Sequence, residues 1–121
     1  MTIIVRDDGF HADDQTDFLD LASDTDPATL DPATTQPIRI AFPSSADGRG
    51  FSLARLLRLK GYTGRLRAQG HVLADQYAMA RRCGFDEVEI DDTLAARQPE
   101  DQWLFRADWT AHDYQSRLRG A

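Results

Sequence analysis

The chain has 121 residues, of which 41% are hydrophobic and 28% charged, and its formal net charge is −6. These values are typical of one globular domain, and the short apolar runs and single cysteine argue against a membrane span and a disulfide framework. Because the first residues do not follow the pattern of a cleaved leader, we expect a cytoplasmic protein.

The charges are distributed unevenly along the chain. Residues 1–36 contain nine aspartates and one arginine, whereas residues 42–84 contain eight basic residues and two acidic ones. This asymmetry favours either an anionic ligand on the basic part or an interaction between the two parts. Because the acidic part would repel a phosphate backbone, we do not expect nucleic acid as a partner.

The first 36 residues are predicted to form an acidic N-terminal arm. Residues 3–12 are typical of a short hairpin, because a turn sequence with Gly9 separates two apolar runs. Residues 13–22 favour a weak helix, and residues 23–36, which are rich in Asp, Pro and Thr, favour a flexible linker. Within the linker Asp-Pro-Ala-Thr occurs twice, and each copy could instead begin one helical turn.

Residues 37–121 are predicted to form an α/β domain in which strands and helices alternate. Hydrophobic periodicity predicts strands at 38–42, at 66–68 and at 85–90, and a glycine ends the helix that follows each of the first two strands. The order β-α-β-α-β predicts a parallel sheet core with right-handed crossovers, either a small open sheet or part of a barrel.

The helix boundaries and one strand face are predicted in more detail. Ser52 is expected to cap the first helix, and Asp92 is expected to cap a further helix after the third strand. Pro99 suits the first position of the next helix. In the third strand Glu87 and Glu89 share one face, which we expect to be exposed to water.

Polar residues collect where the predicted strands end. The segment 42–52 contains two glycines and leads into a helix, and the unpaired N–H groups at a helix start favour an anion. Ligands of open α/β sheets bind at the carboxyl ends of the strands, where these loops and the residues Gln69 and His71 also lie. The candidate residues for binding a ligand, with sulfite, sulfate or phosphate as the expected anions, are Ser44, Ser45, Asp47, Gly48, Arg49, Gly50, Ser52, Arg67, Asp75 and Gln76.

Each candidate arginine also has a structural interpretation. Arg49 could clamp an oxyanion with its planar guanidinium, or it could close its own loop by pairing with Asp47. Arg67 could face a cavity, or it could form a salt bridge with Asp47 or Asp75. The sequence leaves both alternatives open.

The sequence contains no pattern for a self-contained redox site. One cysteine cannot hold an iron–sulfur cluster, and neither Gly-x-Gly-x-x-Gly nor Gly-Lys-Ser/Thr occurs. Cys83 is predicted to end a helix, where the helix dipole raises the pKa of a thiol. The histidines, His11, His71 and His112, do not have the spacing of metal ligands. We therefore expect neither a cofactor nor a metal ion, and no catalytic residue is assigned.

Several strings in the sequence resemble a bacterial family of unknown function. They are Phe42-Pro43, DGRGFSLARLLR at 47–58, GRLRAQGHVLADQ at 64–76, RCGFD at 82–86 and the pair Tyr114-Gln115. The family is usually described as an oxidoreductase involved in sulfite reduction. The resemblance therefore implies a place in assimilatory sulfur metabolism.

These observations lead to one main interpretation and two alternatives. In the main interpretation the chain is an accessory protein of assimilatory sulfite or sulfate reduction that binds an anion or a partner enzyme at the carboxyl ends of its strands. In the first alternative it is an oxidoreductase that acts in sulfite reduction together with a cofactor-bearing partner. In the second it is a structural interaction or homodimerisation module, whose surface would contain Trp103, Phe105, Trp109 and Tyr114.

Overall fold

The structure of the protein, a computed structural model, describes residues 2–13, 17–34, 36–44 and 46–107. Its strands are β1 (Thr2–Arg6), β2 (Gly9–Ala12), β3 (Leu19–Leu21), β4 (Ile38–Phe42), β5 (Leu66–Gly70) and β6 (Glu87–Asp91). Its helices are α1 (Arg49–Leu59), α2 (Tyr77–Cys83), α3 (Asp92–Arg97) and α4 (Glu100–Phe105), and short 3-10 turns lie at Pro27–Thr29 and Ala74–Gln76. None of the helices in these ranges has the length and apolar character that crossing a bilayer requires.

The strands form one mixed sheet in the order β2-β1-β6-β5-β4-β3. Strands β3, β4, β5 and β6 run parallel to one another, whereas β1 is antiparallel to both β6 and β2. The predicted α/β class, with a parallel core and an N-terminal hairpin, is confirmed. Both predicted parts of the chain, 1–36 and 37–121, contribute strands to this sheet.

The N-terminal hairpin is attached to the helices by its turn and by β2. The Tyr77 hydroxyl of α2 donates a hydrogen bond to Asp7 at 2.6 Å, and Arg81 pairs with the same carboxylate. In β2, the Phe10 N–H donates to the Glu100 carboxylate of α4 at 2.7 Å. Burial and the neighbouring Asp7 charge both raise the pKa of Tyr77, so its hydroxyl remains a donor to Asp7.

The apolar core lies between one face of the sheet and the helices. The side chains of Ile38, Ile40 and Phe42 alternate toward this core along β4, as their spacing predicts, and α1 packs against them. Three aromatic rings form its centre, with 4.9 Å between the ring centroids of Phe42 and Phe51 and 5.8 Å between those of Phe42 and Phe85. This packing fixes the position of α1 relative to the ends of the strands.

The prediction of a weak helix in segment 13–22 is wrong for the described C-terminal part of this segment. Residues Leu19–Leu21 form β3, which pairs in parallel with β4, and the Leu19 N–H donates to the Pro37 carbonyl at 2.8 Å. Helix propensity is weak in this segment, so pairing with an available strand edge determines its conformation. In the next segment, the first Asp-Pro-Ala-Thr forms the 3-10 turn, as its turn interpretation predicts, and the Asp26 carboxylate accepts from Ala28 N–H.

Two predicted helix caps are displaced. Helix α1 begins at Arg49 with Gly48 at the N-cap position, so Ser52 lies inside the helix. Helix α3 is capped by Asp91, whose carboxylate accepts from the Leu94 N–H at 2.8 Å, and Asp92 is the first helical residue. In both places the helix begins earlier than the local capping signal suggests: Asp91 ends β6 and caps α3 directly, whereas a loop separates β4 from α1 and Gly48 takes the N-cap position.

The face of β6 that carries Glu87 and Glu89 is buried, so the prediction of a water-exposed face is wrong. These glutamates have relative exposures of 2% and 5%. They are tolerated because arginines of the neighbouring strands point to the same side of the sheet and pair with them. The alternation of residues along β6 therefore predicts correctly that Glu87 and Glu89 share one face of the sheet, but it does not predict that this face is buried.

Candidate functional site

The loop between β4 and α1 is closed by its own charged residues. The Arg49 guanidinium binds the Asp47 carboxylate in a bidentate manner, with Nε–Oδ1 at 2.9 Å and Nη2–Oδ2 at 2.8 Å. The Ser23 hydroxyl also donates to Asp47, at 2.8 Å. These donors, Arg49 first, lower the pKa of the Asp47 carboxyl. The geometry matches the structural interpretation of Arg49, because the fork that could hold an anion already holds Asp47.

The remaining loop candidates shape the backbone and the helix start. The Ser44 hydroxyl accepts the Ala46 N–H, and Gly48 is the N-cap residue of α1. At Gly50, a β-carbon would lie 2.5 Å from the Phe42 ring, so glycine is required for the close packing of α1 on β4. Ser45 lies outside the described residues.

A shallow cavity of about 330 Å³ lies beside the first turns of α1. Its polar wall contains Arg49 and Ser52, two of the predicted site residues, opposite the turn at Ser23. Its floor is apolar and contains Leu53 and the half-exposed Leu56. Arg49 faces this cavity with its guanidinium still bound to Asp47.

Arg67 lies in a buried cluster of charges on the face of the sheet opposite the apolar core. Its side chain is fully buried; Nε donates to Glu87, and Nη1 donates to Glu89 at 2.8 Å and to Asp13 at 3.0 Å. The predicted alternatives, a cavity or a pair with Asp47 or Asp75, are both wrong. The register places Arg67 directly opposite Glu87 on the adjacent strand, and sequence spacing alone could not show this.

Phe18 and three further arginines complete this cluster. The guanidinium of Arg67 lies 4.4 Å from the centroid of the Phe18 ring, and that of Arg39 lies 5.0 Å from it. Arg39 also pairs with Asp20 and Glu89, while Arg6 and Arg65 pair with Glu87. Among the described residues, four arginines thus meet four carboxylates. This pairing favours a structural role for the charged face.

Asp75 and Gln76 organise the turn that precedes α2. The Gln76 side-chain oxygen accepts the Leu73 N–H at 2.9 Å, which fixes the start of the turn. Asp75 pairs with Arg106 at the end of α4. These partners differ from those described for Arg49 and Arg67, so within the described part of the chain the predicted residues are distributed over separate places.

A larger cleft of about 370 Å³ lies at the carboxyl ends of β4, β5 and β6. The last residues of these strands, Phe42, Gly70 and Asp91, all line it. Gly70 has a positive φ of 116°, and a β-carbon there would lie 2.5 Å from the Phe42 carbonyl oxygen. This close approach allows the His71 N–H to bond that carbonyl at 3.0 Å, which holds His71 at the rim of the cleft.

The walls of the cleft combine polar groups with an apolar floor. Its polar lining is contributed by Thr2, Gln69, His71, Glu89, Asp91, Thr93 and Arg97, and its apolar lining includes Ala41, Phe42, Pro43, Ile90 and Leu94. Within the described residues, no group of three His, Cys, Asp or Glu side chains is arranged to hold a metal ion. The cleft therefore presents hydrogen-bonding and charged groups above a hydrophobic surface, as small-molecule sites do.

A family model described as "Bacterial protein of unknown function (DUF934)" matches residues 18–121. This range includes β3 to β6 and every residue that lines the cleft except Thr2. The chain belongs to this family. No curated protein and no solved structure matches the chain. The family match begins after the N-terminal hairpin, so β1, which supplies Thr2 to the cleft, lies outside it.

A positively charged side chain that the sequence analysis does not single out, Arg97, lines the cleft of this DUF934 protein. Among the described arginines, Arg55 and Arg97 are the two whose guanidinium groups form no hydrogen bond or ion pair with another described residue. Arg55 is exposed on α1, whereas Arg97, in the last turn of α3, lines the cleft together with His71. A signal was present in the sequence, since α3 directly follows the end of β6 and its residues must lie near the same edge.

Proposed function

We propose that this DUF934 protein is an accessory protein of assimilatory sulfite or sulfate reduction. It binds a small oxyanion in the cleft at the carboxyl ends of its strands, and it acts beside an enzyme of that pathway. The pathway rests on the sequence resemblance described above. The binding position rests on one observation, which is that Arg97 lines this cleft without a carboxylate partner among the described residues.

The charges of the three candidate arginines favour Arg97 as the anion ligand. Arg49 would have to leave the bidentate pair with Asp47, and Arg67 would have to leave a buried cluster with two glutamates. Separating the buried pairs of Arg67 costs about 3–5 kcal/mol, more than a single surface anion contact returns, whereas Arg49 would only exchange one surface carboxylate contact for another anion contact. Arg97 requires no such exchange, and its planar fork suits sulfite, sulfate and phosphate.

The proposal is tested by thermal unfolding in sulfite and in chloride at matched ionic strength. A ligand that binds the folded state raises the melting temperature by mass action. We expect Arg97→Gln to remove most of the sulfite increment. Arg55→Gln is the matched control, because it removes another exposed arginine that has no hydrogen bond or ion pair with a described residue and that lies away from the cleft.

Comparing the increments of the variants also removes a salt effect unrelated to binding. Sulfite and sulfate can stabilise any protein by exclusion from its surface, and this contribution is the same in both variants. If the wild type, Arg97→Gln and Arg55→Gln gain the same increment, the proposed anion site is wrong.

An interaction module remains a second candidate, because α4 exposes apolar side chains. Phe105 is 78% exposed and Leu104 is 41% exposed. Trp103, one of the residues that the sequence predicts for this surface, is buried. Its ring packs edge-on against Tyr77, with 6.0 Å between the ring centroids. Trp109 and Tyr114 lie outside the described residues. Light scattering of the wild type and Phe105→Ser tests this candidate, which requires the wild type to be an oligomer and the variant a monomer.

A further inference from the structure

The two carboxylates of the cleft differ in how far the protein already neutralises them. The Glu89 carboxylate accepts from Arg39 at 3.1 Å, from Arg67 at 2.8 Å and from the Gln69 amide at 2.8 Å. Two arginines therefore balance its charge within the sheet. Glu89 neither repels an anion strongly nor needs a cation from a ligand.

Asp91 has no such compensation. Its Oδ1 accepts the Leu94 N–H, and its carboxylate forms no hydrogen bond or ion pair with another side chain among the described residues. Asp91 lines the same cleft as Arg97 and His71. After Glu89 is set aside, the cleft thus presents one open guanidinium, one open carboxylate and an imidazole.

A ligand with a single negative group can pair with Arg97 but leaves Asp91 without a positively charged partner. A bare oxyanion bound at Arg97 would bring a second negative charge into the cleft that holds Asp91, and like charges at close range destabilise each other. A zwitterion would pair its anionic group with Arg97 and its ammonium with Asp91. The cleft of about 370 Å³ also offers Phe42, Ile90 and Leu94 as an apolar floor for the carbon atoms between these groups.

We infer that the ligand of this cleft is a small zwitterion, with an anionic head group such as a sulfonate or carboxylate and an ammonium a few bonds away. The inference rests on the proposed anion site at Arg97 and adds a second recognition group, Asp91. It narrows the expected ligand from any small oxyanion to a molecule that carries both an oxyanion group and an ammonium, such as an amino-sulfonate or amino acid.

The test uses two probes that differ in the ammonium. Taurine carries a sulfonate and an ammonium, ethanesulfonate carries the sulfonate without it, and sulfite serves as the inorganic probe. The dissociation constants come from the changes in amide chemical shifts of the 121-residue chain during NMR titrations at pH 7 and constant ionic strength. We expect taurine to bind the wild type about fivefold more tightly than ethanesulfonate, the upper end of the gain for one exposed ion pair.

Two variants assign the contacts. Asp91→Asn keeps an oxygen that can accept the Leu94 N–H, so the cap of α3 is preserved while the charge is removed. In this variant taurine and ethanesulfonate should bind with about the same dissociation constant. Arg97→Gln should weaken the binding of both sulfonates, and Arg55→Gln should change neither.

The outcomes distinguish this inference from the proposed function. If sulfite and ethanesulfonate bind through Arg97 as tightly as taurine, the zwitterion inference is overturned and the anion site stands. A taurine preference that survives in Asp91→Asn would also overturn it. Only the failure of all three probes to bind through Arg97 would remove the proposed anion site as well.

Discussion

Replacing Arg67 by methionine tests whether the charged face of the sheet is a structural element. Methionine fills much of the same space and removes the guanidinium. Breaking a buried ion pair by deleting one partner costs about 3–5 kcal/mol, because the remaining charge stays buried. The Arg67 side chain is fully buried, and those of Glu87 and Glu89 are 3% and 6% exposed, so this range applies.

The structure places the expected loss near the lower end of that range. After the substitution Glu87 keeps Arg65 at 2.7 Å, and Glu89 keeps Arg39 at 3.1 Å. The third partner, Asp13, is 32% exposed and can turn to water. We therefore expect Arg67→Met to lower the free energy of unfolding by about 3 kcal/mol.

The assay is equilibrium unfolding in urea at neutral pH, followed by circular dichroism and tryptophan fluorescence. Arg49→Met is the matched control, because Arg49 also holds a carboxylate, Asp47, but its own side chain is 62% exposed. For this surface pair the loss should stay within about 1 kcal/mol. The double variant Arg67→Met/Glu87→Gln should recover part of the loss, since it removes one of the two buried charges that Arg67 compensates.

A loss of less than about 1 kcal/mol in Arg67→Met would refute the reasoning, as would equal losses in Arg67→Met and Arg49→Met. Either result would mean that the charged face is hydrated and that Arg67 is available to a ligand. The argument that Arg97 is available to a ligand whereas Arg67 is held in ion pairs would then fail.

Three further predictions follow from single residues. Arg58 donates to the carbonyls of Tyr62, Gly64 and Gly84 after the two main helices, so Arg58→Ala should lower the free energy of unfolding in urea by about 2–4 kcal/mol. The lowered pKa of Asp47 means that its contribution to stability is present above its unfolded pKa of about 4 and is lost as pH falls, so Asp47→Asn should flatten the acid limb of a stability–pH curve. Burial raises the pKa of the Cys83 thiol, so its reaction with a disulfide reagent at pH 7 should be slower than that of free cysteine; a faster reaction would contradict this assignment.

Most strands and helices, and the carboxyl-terminal edge of the sheet where the cleft lies, could be predicted because the sequence patterns behind them are local. Ile38, Ile40 and Phe42 alternate over a few residues, and Gly70 and Gly84 adopt the positive φ that ends an element. Strand alternation and glycine positions depend on neighbours in sequence, which a single sequence contains. The same signals failed at Leu19–Leu21, where local propensity was weak and strand pairing decided the outcome.

The partner of each charged side chain could not be predicted, because it depends on strand register. Arg67 pairs with Glu87, which is 20 positions away, and with Asp13, which is 54 positions away. Composition shows only that these charges exist. Aspartates nearer in sequence or in the predicted site, Asp47 and Asp75, have other partners in the folded chain.

The sequence by itself determined the α/β class, the parallel order of the core strands and the edge of the sheet where polar residues collect. Its hydrophobic periodicity and glycines act over one element at a time, so these features need no knowledge of distant contacts. Only the tertiary structure decided which arginine remains available at that edge. Strand pairing buries Arg67 against glutamates, and Arg49 is bound to Asp47 within its own loop. Helix α3, which directly follows β6, places Arg97 in the cleft that Asp91 also lines.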